Sequence, residues 1–341
     1  MAATIKEIAR LAKTSTATVS RAIHGKKGLS VETAGRINKI CELLDYHPNL
    51  WARNLVTNST DIVEIIIPQT EQFAFSNPYY SEIMKGIGER ASGLRGSFIL
   101  SFVGERSYTL NYKQGLSAGI IVLANRIDDQ RIEEARKIGI PLVLIPGIPD
   151  CLDIASVDFD NVCGAYMAVD YLVGLGHRRI AFLNGPMNSK YSIERLIGYK
   201  KALEKNNLPF KEELVINIDY SIEGGYKTMK DVLSIPVIPT AVLMINDYSA
   251  MGALLATKKV GYRVPEDISI VGFGDVPFAS MTDPPLTTIR EPFRDLGYEA
   301  FGILYKLVRK KKISNRQIVL PVELIVREST APLSSKREKI S

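Results

Sequence analysis

From residue 61 onward, short continuous apolar runs alternate with amphipathic helical segments, and no other feature limits the fold as strongly. Residues 62–67, 98–102, 119–123, 141–145, 180–183, 241–245 and 268–273 are runs of mostly Ile, Val, Leu and Phe. Segments 80–92, 129–138, 161–175, 193–206, 222–233 and 248–259 carry apolar residues at helical spacing. A strand apolar on both faces needs cover on both faces, and helices between strands supply it. The pattern therefore predicts parallel sheets flanked by helices. About nine such units exceed one comfortable sheet, so two doubly wound α/β lobes are expected.

Residues 1–47 have a different texture, with no proline. Thr4-Ile5-Lys6-Glu7 is a capping box, and Ile5, Ile8, Ala9 and Ala12 follow at helical spacing. After a break at Lys13-Thr14, Ser15 can cap a second helix whose Val19, Ala22 and Ile23 face inward. Ser30 can cap a third, which carries Ile37, Ile40, Leu43 and Leu44. Two helices joined by a tight turn and braced by a third form a helix-turn-helix, the arrangement that places one helix in a major groove. Pro48 opens a linker that ends in the polar Thr57-Asn58-Ser59-Thr60.

The 341-residue chain has a net charge of +6, unevenly placed. Residues 1–60 carry nine Lys/Arg and four Asp/Glu, or +5; residues 331–341 carry +2. The remainder, 61–330, is +6 − 5 − 2 = −1. A small basic head on a near-neutral body fits a nucleic-acid partner, and equally a merely solvated basic surface.

Some function classes fall away on composition. No run reaches the ~18 apolar residues of a membrane span, and charge at positions 6 and 7 breaks any signal-peptide core. Cys41, Cys151 and Cys163 form no CxxC pair and are expected as reduced, buried thiols in a cytoplasmic protein. Gly115-Leu116-Ser117-Ala118-Gly119 matches the nucleophile-elbow string, but a strand follows it where a helix is required. With three histidines scattered at 24, 47 and 177, no catalytic set, metal site or cofactor motif is expected.

The strings Thr4-Ile5-Lys6-Glu7-Ile8-Ala9, Ser15-Thr16-Ala17-Thr18-Val19-Ser20-Arg21, Tyr46-His47-Pro48-Asn49 and Ala52-Arg53-Asn54-Leu55 stand together in order. So do Leu175-Gly176-His177-Arg178-Arg179-Ile180-Ala181, Arg195-Leu196-Ile197-Gly198-Tyr199, Ile245-Asn246-Asp247, Val264-Pro265-Glu266-Asp267-Ile268-Ser269 and Pro285-Leu286-Thr287-Thr288-Ile289. On these strings the chain resembles the lactose/galactose repressor family over nearly all of residues 3–330. The resemblance implies a cytoplasmic, homodimeric transcription regulator, usually a repressor, on a near-palindromic operator, with a body like a periplasmic sugar-binding protein. It implies residues 1–47 as the DNA-binding domain, 48–60 as hinge and linker, and 61–330 as the effector-binding and dimerisation body. Lobe 1 is expected at about 61–160 plus 291–318, lobe 2 at about 161–290 plus 319–330, and a flexible tail at 331–341. A solute-binding protein would share the body but have an export signal and no helix-turn-helix.

Carried over position by position, Thr16, Ala17 and Arg21 are the implied base readers. Ser15, Thr18, Ser20, Tyr46 and Asn49 are implied phosphate or positioning contacts, and Ala52 and Leu55 belong to the hinge. Leu55 matches a leucine that wedges into the minor groove, where an apolar side chain unstacks a step and bends the duplex. Trp51 is unusual in that hinge and packs either on its twin or on the body. Where the family's turn commonly has glycine, this chain has Lys13, which can adopt a left-handed conformation at a cost of ~1 kcal/mol. Ala17 offers only a methyl group, suited to a thymine methyl.

For the effector, the resemblance and the residue types point to Tyr79, Tyr80, Lys190, Arg195, Tyr220, Asn246, Asp275 and Phe293 between the lobes. Aromatic rings cover the apolar faces of sugars, while Arg and Asn hold hydroxyls or carboxylates. The family often has an acid where this chain has Pro146, and an aspartate where it has Gly274. Their loss leads to the expectation of an acidic effector, a sugar acid or sugar phosphate, with Arg195 free to pair with it and Lys190 adding charge.

Overall fold

A computed structural model describes residues 4–23, 29–46, 60–102, 104–124, 126–148, 151 and 153–333. The chain divides into two compact units, residues 1–59 and 60–341. The expectations for Asn49, Trp51, Ala52 and Leu55 fall outside the described residues, as does most of the tail.

The first unit is three helices: α1 (Ile5–Leu11), α2 (Thr16–Ile23) and α3 (Val31–Leu43). Each start is fixed by a hydroxyl that accepts a backbone N–H. Thr4 takes that of Glu7 at 3.3 Å, Ser15 that of Thr18 at 3.1 Å and Ser30 that of Thr33 at 3.3 Å. Ile8, Ala9, Ala12, Val19 and Ile37 form the core, with Ala22, Ile23, Ile40 and Leu44 packed on it. Leu43 is 77% exposed. It lies off the stripe set by Ile37, Ile40 and Leu44, whose spacing of three and four keeps one face. Lys13, at φ 51°, takes the left-handed turn that the sequence demanded of it.

The second unit holds two six-stranded sheets. In chain order its first part is β1 (Val63–Ile67), α4 (Glu71–Ser76), α5 (Pro78–Leu94), β2 (Phe98–Phe102), α6 (Leu110–Lys113), β3 (Ile120–Leu123), α7 (Gln130–Ile138), β4 (Leu142–Ile145) and β5 (Ala155–Phe159). The chain then crosses into α8 (Asn161–Gly174), β6 (Ile180–Asn184), α9 (Lys190–Lys205), β7 (Val215–Asn217), α10 (Ile222–Val232), β8 (Ala241–Met244), α11 (Asp247–Val260), β9 (Ser269–Gly274) and β10 (Thr287–Arg290). It returns through α12 (Phe293–Val308) and β11 (Gln317–Leu320) and ends on β12 (Glu323–Ile325).

The first sheet has the order β11-β5-β4-β3-β1-β2 and is parallel throughout. The second has the order β12-β10-β9-β8-β6-β7, parallel except for the β10–β12 pair. All seven apolar runs became strands. The sequence reading passed over β5, whose Ala-Ser-Val-Asp-Phe alternates, and the short elements β7, β10, β11 and β12. Leu320 still pairs with Phe159, so the last crossing falls at Pro321-Val322 and not at 318–319.

The cysteine expectation needs correction. Cys163 is exposed on the outer side of α8, and Cys41 and Cys151 are half-buried; all three are free thiols. Ser117 is buried in the turn before β3, without a helix after it, so the elbow string is a coincidence of sequence. No described helix is long and apolar enough to cross a membrane.

Helix pairs set the packing distance. A Cβ on Gly86 of α5 would stand 1.8 Å from the Arg294 carbonyl, and one on Gly297 of α12 would stand 2.1 Å from that of Ile83. The two backbones touch there because both positions lack a side chain. Gly88, one turn-face away on the same helix, has nothing within 4 Å of its would-be Cβ. Gly86→Ala is therefore expected to cost about 1–3 kcal/mol by forcing the helices apart. Gly88→Ala should be neutral or stabilising by up to about 1 kcal/mol. Urea unfolding of the two variants checks the pair, and equal effects would contradict this packing.

Candidate functional site

In the head, α2 turns Val19 into the core and leaves Ser15, Thr16, Ala17 and Arg21 exposed, with Thr18 and Ser20 half-buried. Ser15 and Thr18 are joined Oγ to Oγ1 at 2.9 Å, so their hydroxyls order the first turn of the helix. Tyr46 is half-buried against the three-helix core. The exposed face thus offers a helix N-terminus with short hydroxyls and one arginine beyond them, groups whose chemistry suits phosphates and a base edge.

In the body, the carboxyl ends of both sheets meet, and the side chains there come mostly from residues just past each strand. Four rings form a closed circuit: Tyr79 to Phe293 at 5.4 Å, Phe293 to Phe159 at 5.5 Å, Phe159 to Tyr191 at 6.2 Å and Tyr191 to Tyr79 at 6.5 Å between centroids. Tyr79 stands at the start of α5, capped by Asn77. Its hydroxyl meets that of Tyr191, from the other lobe, at 3.4 Å.

Beside the rings lies a polar cluster. Arg195, 3% exposed, donates from Nε to Asn161 at 2.8 Å, from one terminal nitrogen to the Ile245 carbonyl, and from the other to Glu291 at 2.5 Å. Its guanidinium also lies over the Phe273 ring at 3.6 Å. Lys190 bridges the lobes, with Nζ 3.1 Å from Asp158 on β5 and 3.0 Å from Glu194 on α9. Burial alone would lower the Lys190 ammonium, but Asp158 and Glu194 outweigh it and raise its pKa. Asp247 accepts from the Thr288 hydroxyl at 2.5 Å and from the Val276 amide at 3.0 Å.

The expected residues divide. Tyr79, Phe293, Lys190 and Arg195 come together. Tyr220 and Asn246 form an adjoining wall: the Tyr220 hydroxyl is 3.2 Å from the Ser192 Oγ, and the Asn246 amide donates to the Tyr220 carbonyl at 3.3 Å. The Asn246 side-chain oxygen also caps α11, accepting from the Ser249 amide at 2.7 Å. Tyr80 stays against Tyr79, with ring centroids 5.0 Å apart, and also lines an apolar cavity of about 400 Å³ with Ile67, Ala74, Phe75, Met84 and Phe102.

Asp275 does not belong to the cluster. At φ 54° it directs its carboxylate to Arg290 at 2.7 Å and Arg327 at 2.6 Å. Asp158, Phe159, Asn161, Tyr191, Glu194, Asp247 and Glu291 were missed. They lie next to strand ends that carried no continuous apolar run, or beside residues singled out for other reasons.

Two premises of the acidic-effector expectation fail. Arg195 is not free, because Glu291 holds it. Nor is the cleft short of carboxylates. Both Asp158 oxygens accept from the Gly147 amide at 3.2 Å, beside Pro146. A Cβ on Gly274 would stand 3.3 Å from an Asp247 oxygen. The acids missing at 146 and 274 are thus supplied from β5 and α11. Lys190 is held by Asp158 and Glu194 and Arg195 by Glu291, so both cations already have carboxylate partners, which leaves the cleft unfavourable to an anion.

Burial raises the Asp247 carboxyl to about 6, against the lowering effect of its bonds to Thr288 and Val276. Burial raises Glu291 to about 7; Arg195 opposes this and Asp247 adds to it. Both folded values lie above the ordinary 3.8 and 4.5 of the unfolded chain. The native state therefore binds extra protons, and the stability they give is complete below the ordinary values and lost as the pH rises through 6 to 7. Stability should fall from pH 5 to pH 8, with a limiting slope of about 1.4 kcal/mol per pH unit for each proton. Glu291→Gln should flatten the upper part of that profile in denaturant titrations at stepped pH; an unchanged slope would contradict the assignment.

Known proteins align with this chain over nearly all of its length. Residues 4–49 match the model for bacterial regulatory proteins of the lacI family, and residues 169–330 match the periplasmic binding protein-like domain. The HTH-type transcriptional repressor CytR of Escherichia coli (strain K12) is 33% identical over 97% of each chain. A lac repressor dimer bound to operator and the anti-inducer ONPF superposes with a TM-score of 0.85 at 30% identity, covering 97% of this chain and 100% of that one. A transcriptional regulator CelR–cellobiose complex gives a TM-score of 0.73 at 29% identity, covering 96% and 99%. With the capped three-helix head, the two parallel sheets and the cleft at their carboxyl ends, this chain belongs to the LacI family of bacterial transcriptional regulators.

Proposed function

We propose that the chain is a cytoplasmic homodimeric repressor whose grip on a near-palindromic operator is switched by a neutral, hydroxyl-rich effector held between the lobes. The observation that carries the effector class is the pairing of Arg195 with Glu291 beside a ring circuit and surplus carboxylates. Carboxylates accept hydroxyl protons, rings cover the apolar face of a sugar, and the two cations of the cluster, Lys190 and Arg195, already have carboxylate partners. The CelR complex with cellobiose, a neutral sugar, supports the same class. The function is binding and switching rather than catalysis.

In this reading Tyr79, Asp158, Tyr191, Tyr220, Asn246 and Phe293 contact the effector, while Arg195 holds the wall in place. Residues 61–330 form the effector-binding and dimerisation body, and 48–60 the hinge. Thr16, Ala17 and Arg21 read bases; Ser15, Thr18, Ser20, Tyr46 and Asn49 position the helix on phosphates, with Ala52 and Leu55 at the central step. Effector binding changes how the lobes meet, with a coupling of typically 1–3 kcal/mol to DNA affinity, and releases the operator.

Two measurements test this. Calorimetric titration with neutral sugars and nucleosides against sugar acids should give binding in the neutral set alone, and tight binding of a sugar acid would sink the effector class. Arg21→Ala should cost about 1–3 kcal/mol at one base pair of each half-site. Selection of preferred sites from a random DNA pool should show that position relaxed, and an identical preference in the variant would remove Arg21 from base reading.

A further inference from the structure

Residues 300–322 contain Lys306, Arg309, Lys310, Lys311, Lys312 and Arg316 and not one Asp or Glu, although the body as a whole is slightly acidic. The structure gathers these cations at one pole. Helix α12 starts at the cleft with Phe293 and ends at the opposite edge of its sheet, beside the end of α5, where the Tyr305 hydroxyl donates to the Leu94 carbonyl at 3.1 Å. Exposed Arg95 joins the group there.

The pole is also where the chain enters the body. Asp61, two residues before β1, is 3.3 Å from Arg309. It is the acid the pole meets from that side; Arg316 donates to the Asp153 carbonyl at 3.0 Å and lies near the Asp153 carboxylate, which pairs directly with Arg136. Lys310, Lys311 and Lys312 are exposed and in no ion pair among the described residues. One buried Arg309 terminal nitrogen has no acceptor.

The ordinary reading is that cations at a helix C-terminus complement its dipole. That effect fades within the last turn, and Lys311, Lys312 and Arg316 lie beyond it. Both helix ends put a basic residue, Arg95 and Lys310, at φ 52°, a conformation glycine adopts more cheaply.

We propose that this pole is a second phosphate-binding surface, which takes the backbone of DNA outside the bases read by the head. DNA is the fitting polyanion because the chain belongs to a DNA-binding family and enters its body at this same edge, at Asp61. Binding there carries no sequence information, so it adds affinity and salt dependence equally on all sequences.

The test uses the full chain on a random-sequence duplex, with affinity measured across a salt series. The triple variant K310Q/K311Q/K312Q should make the slope of log K on log salt shallower by about 0.9 for each phosphate no longer neutralised, and by about two or more in a dimer. The charge-preserving K310R/K311R/K312R should keep the original slope. An unchanged slope in the glutamine variant overturns the proposal, including the case where its melting temperature falls, since that would mark the lysines as helix-end stabilisers. An unchanged slope would also leave the pole to some polyanion other than DNA. The proposal rests on the DNA-binding reading but fails separately from it. If the unaltered protein enriches no sequence from a random pool, that reading fails; if it does and the slopes agree, only the second surface is lost.

Discussion

The body depends on one buried cation. Arg195 sits where the chain passes between lobes, and its three donating groups reach α8 at Asn161, the end of β8 at Ile245 and the β10–α12 crossing at Glu291. Removing a guanidinium from water costs several kcal/mol unless every donor finds an acceptor, and losing one partner of such a pair typically costs 3–5 kcal/mol. Segments far apart in sequence are thereby held at fixed separation. The ring circuit of Tyr79, Phe159, Tyr191 and Phe293 is assembled on the frame this network keeps.

The same network explains why the cleft differs from what its individual residues imply. An arginine at a ligand site reads as a receptor for anions, but a glutamate beside it removes that capacity. The surplus of carboxylates then sets the preference, and burial turns part of it into proton uptake instead of standing charge. Charge is segregated along the molecule: acids at the cleft, bases at the far edge of the first sheet and on the head.

The fold was largely legible because it rests on local chemistry. Continuous apolar runs bounded by helical segments can bury themselves in few ways, and seven of the twelve strands announced themselves so. The caps at Thr4, Ser15 and Ser30 set helix starts through bonds to amides three residues on. β5 was illegible because its Ser156 and Asp158 break the apolar run, yet the cleft uses both Asp158 and Phe159 of that strand.

By itself the sequence determined the alternation of strand and helix, the three-helix head, the two-lobed α/β body and the family, since these follow from periodicity, capping and motifs in fixed order. Only the tertiary structure decided what each charged side chain faces. Whether Arg195 is a receptor or a strut, whether Asp275 enters the cleft, and where Lys310–Lys312 gather all depend on partners tens or hundreds of residues away. Electrostatic and hydrogen-bond energies act through distance in space, and spacing along the chain does not carry that distance.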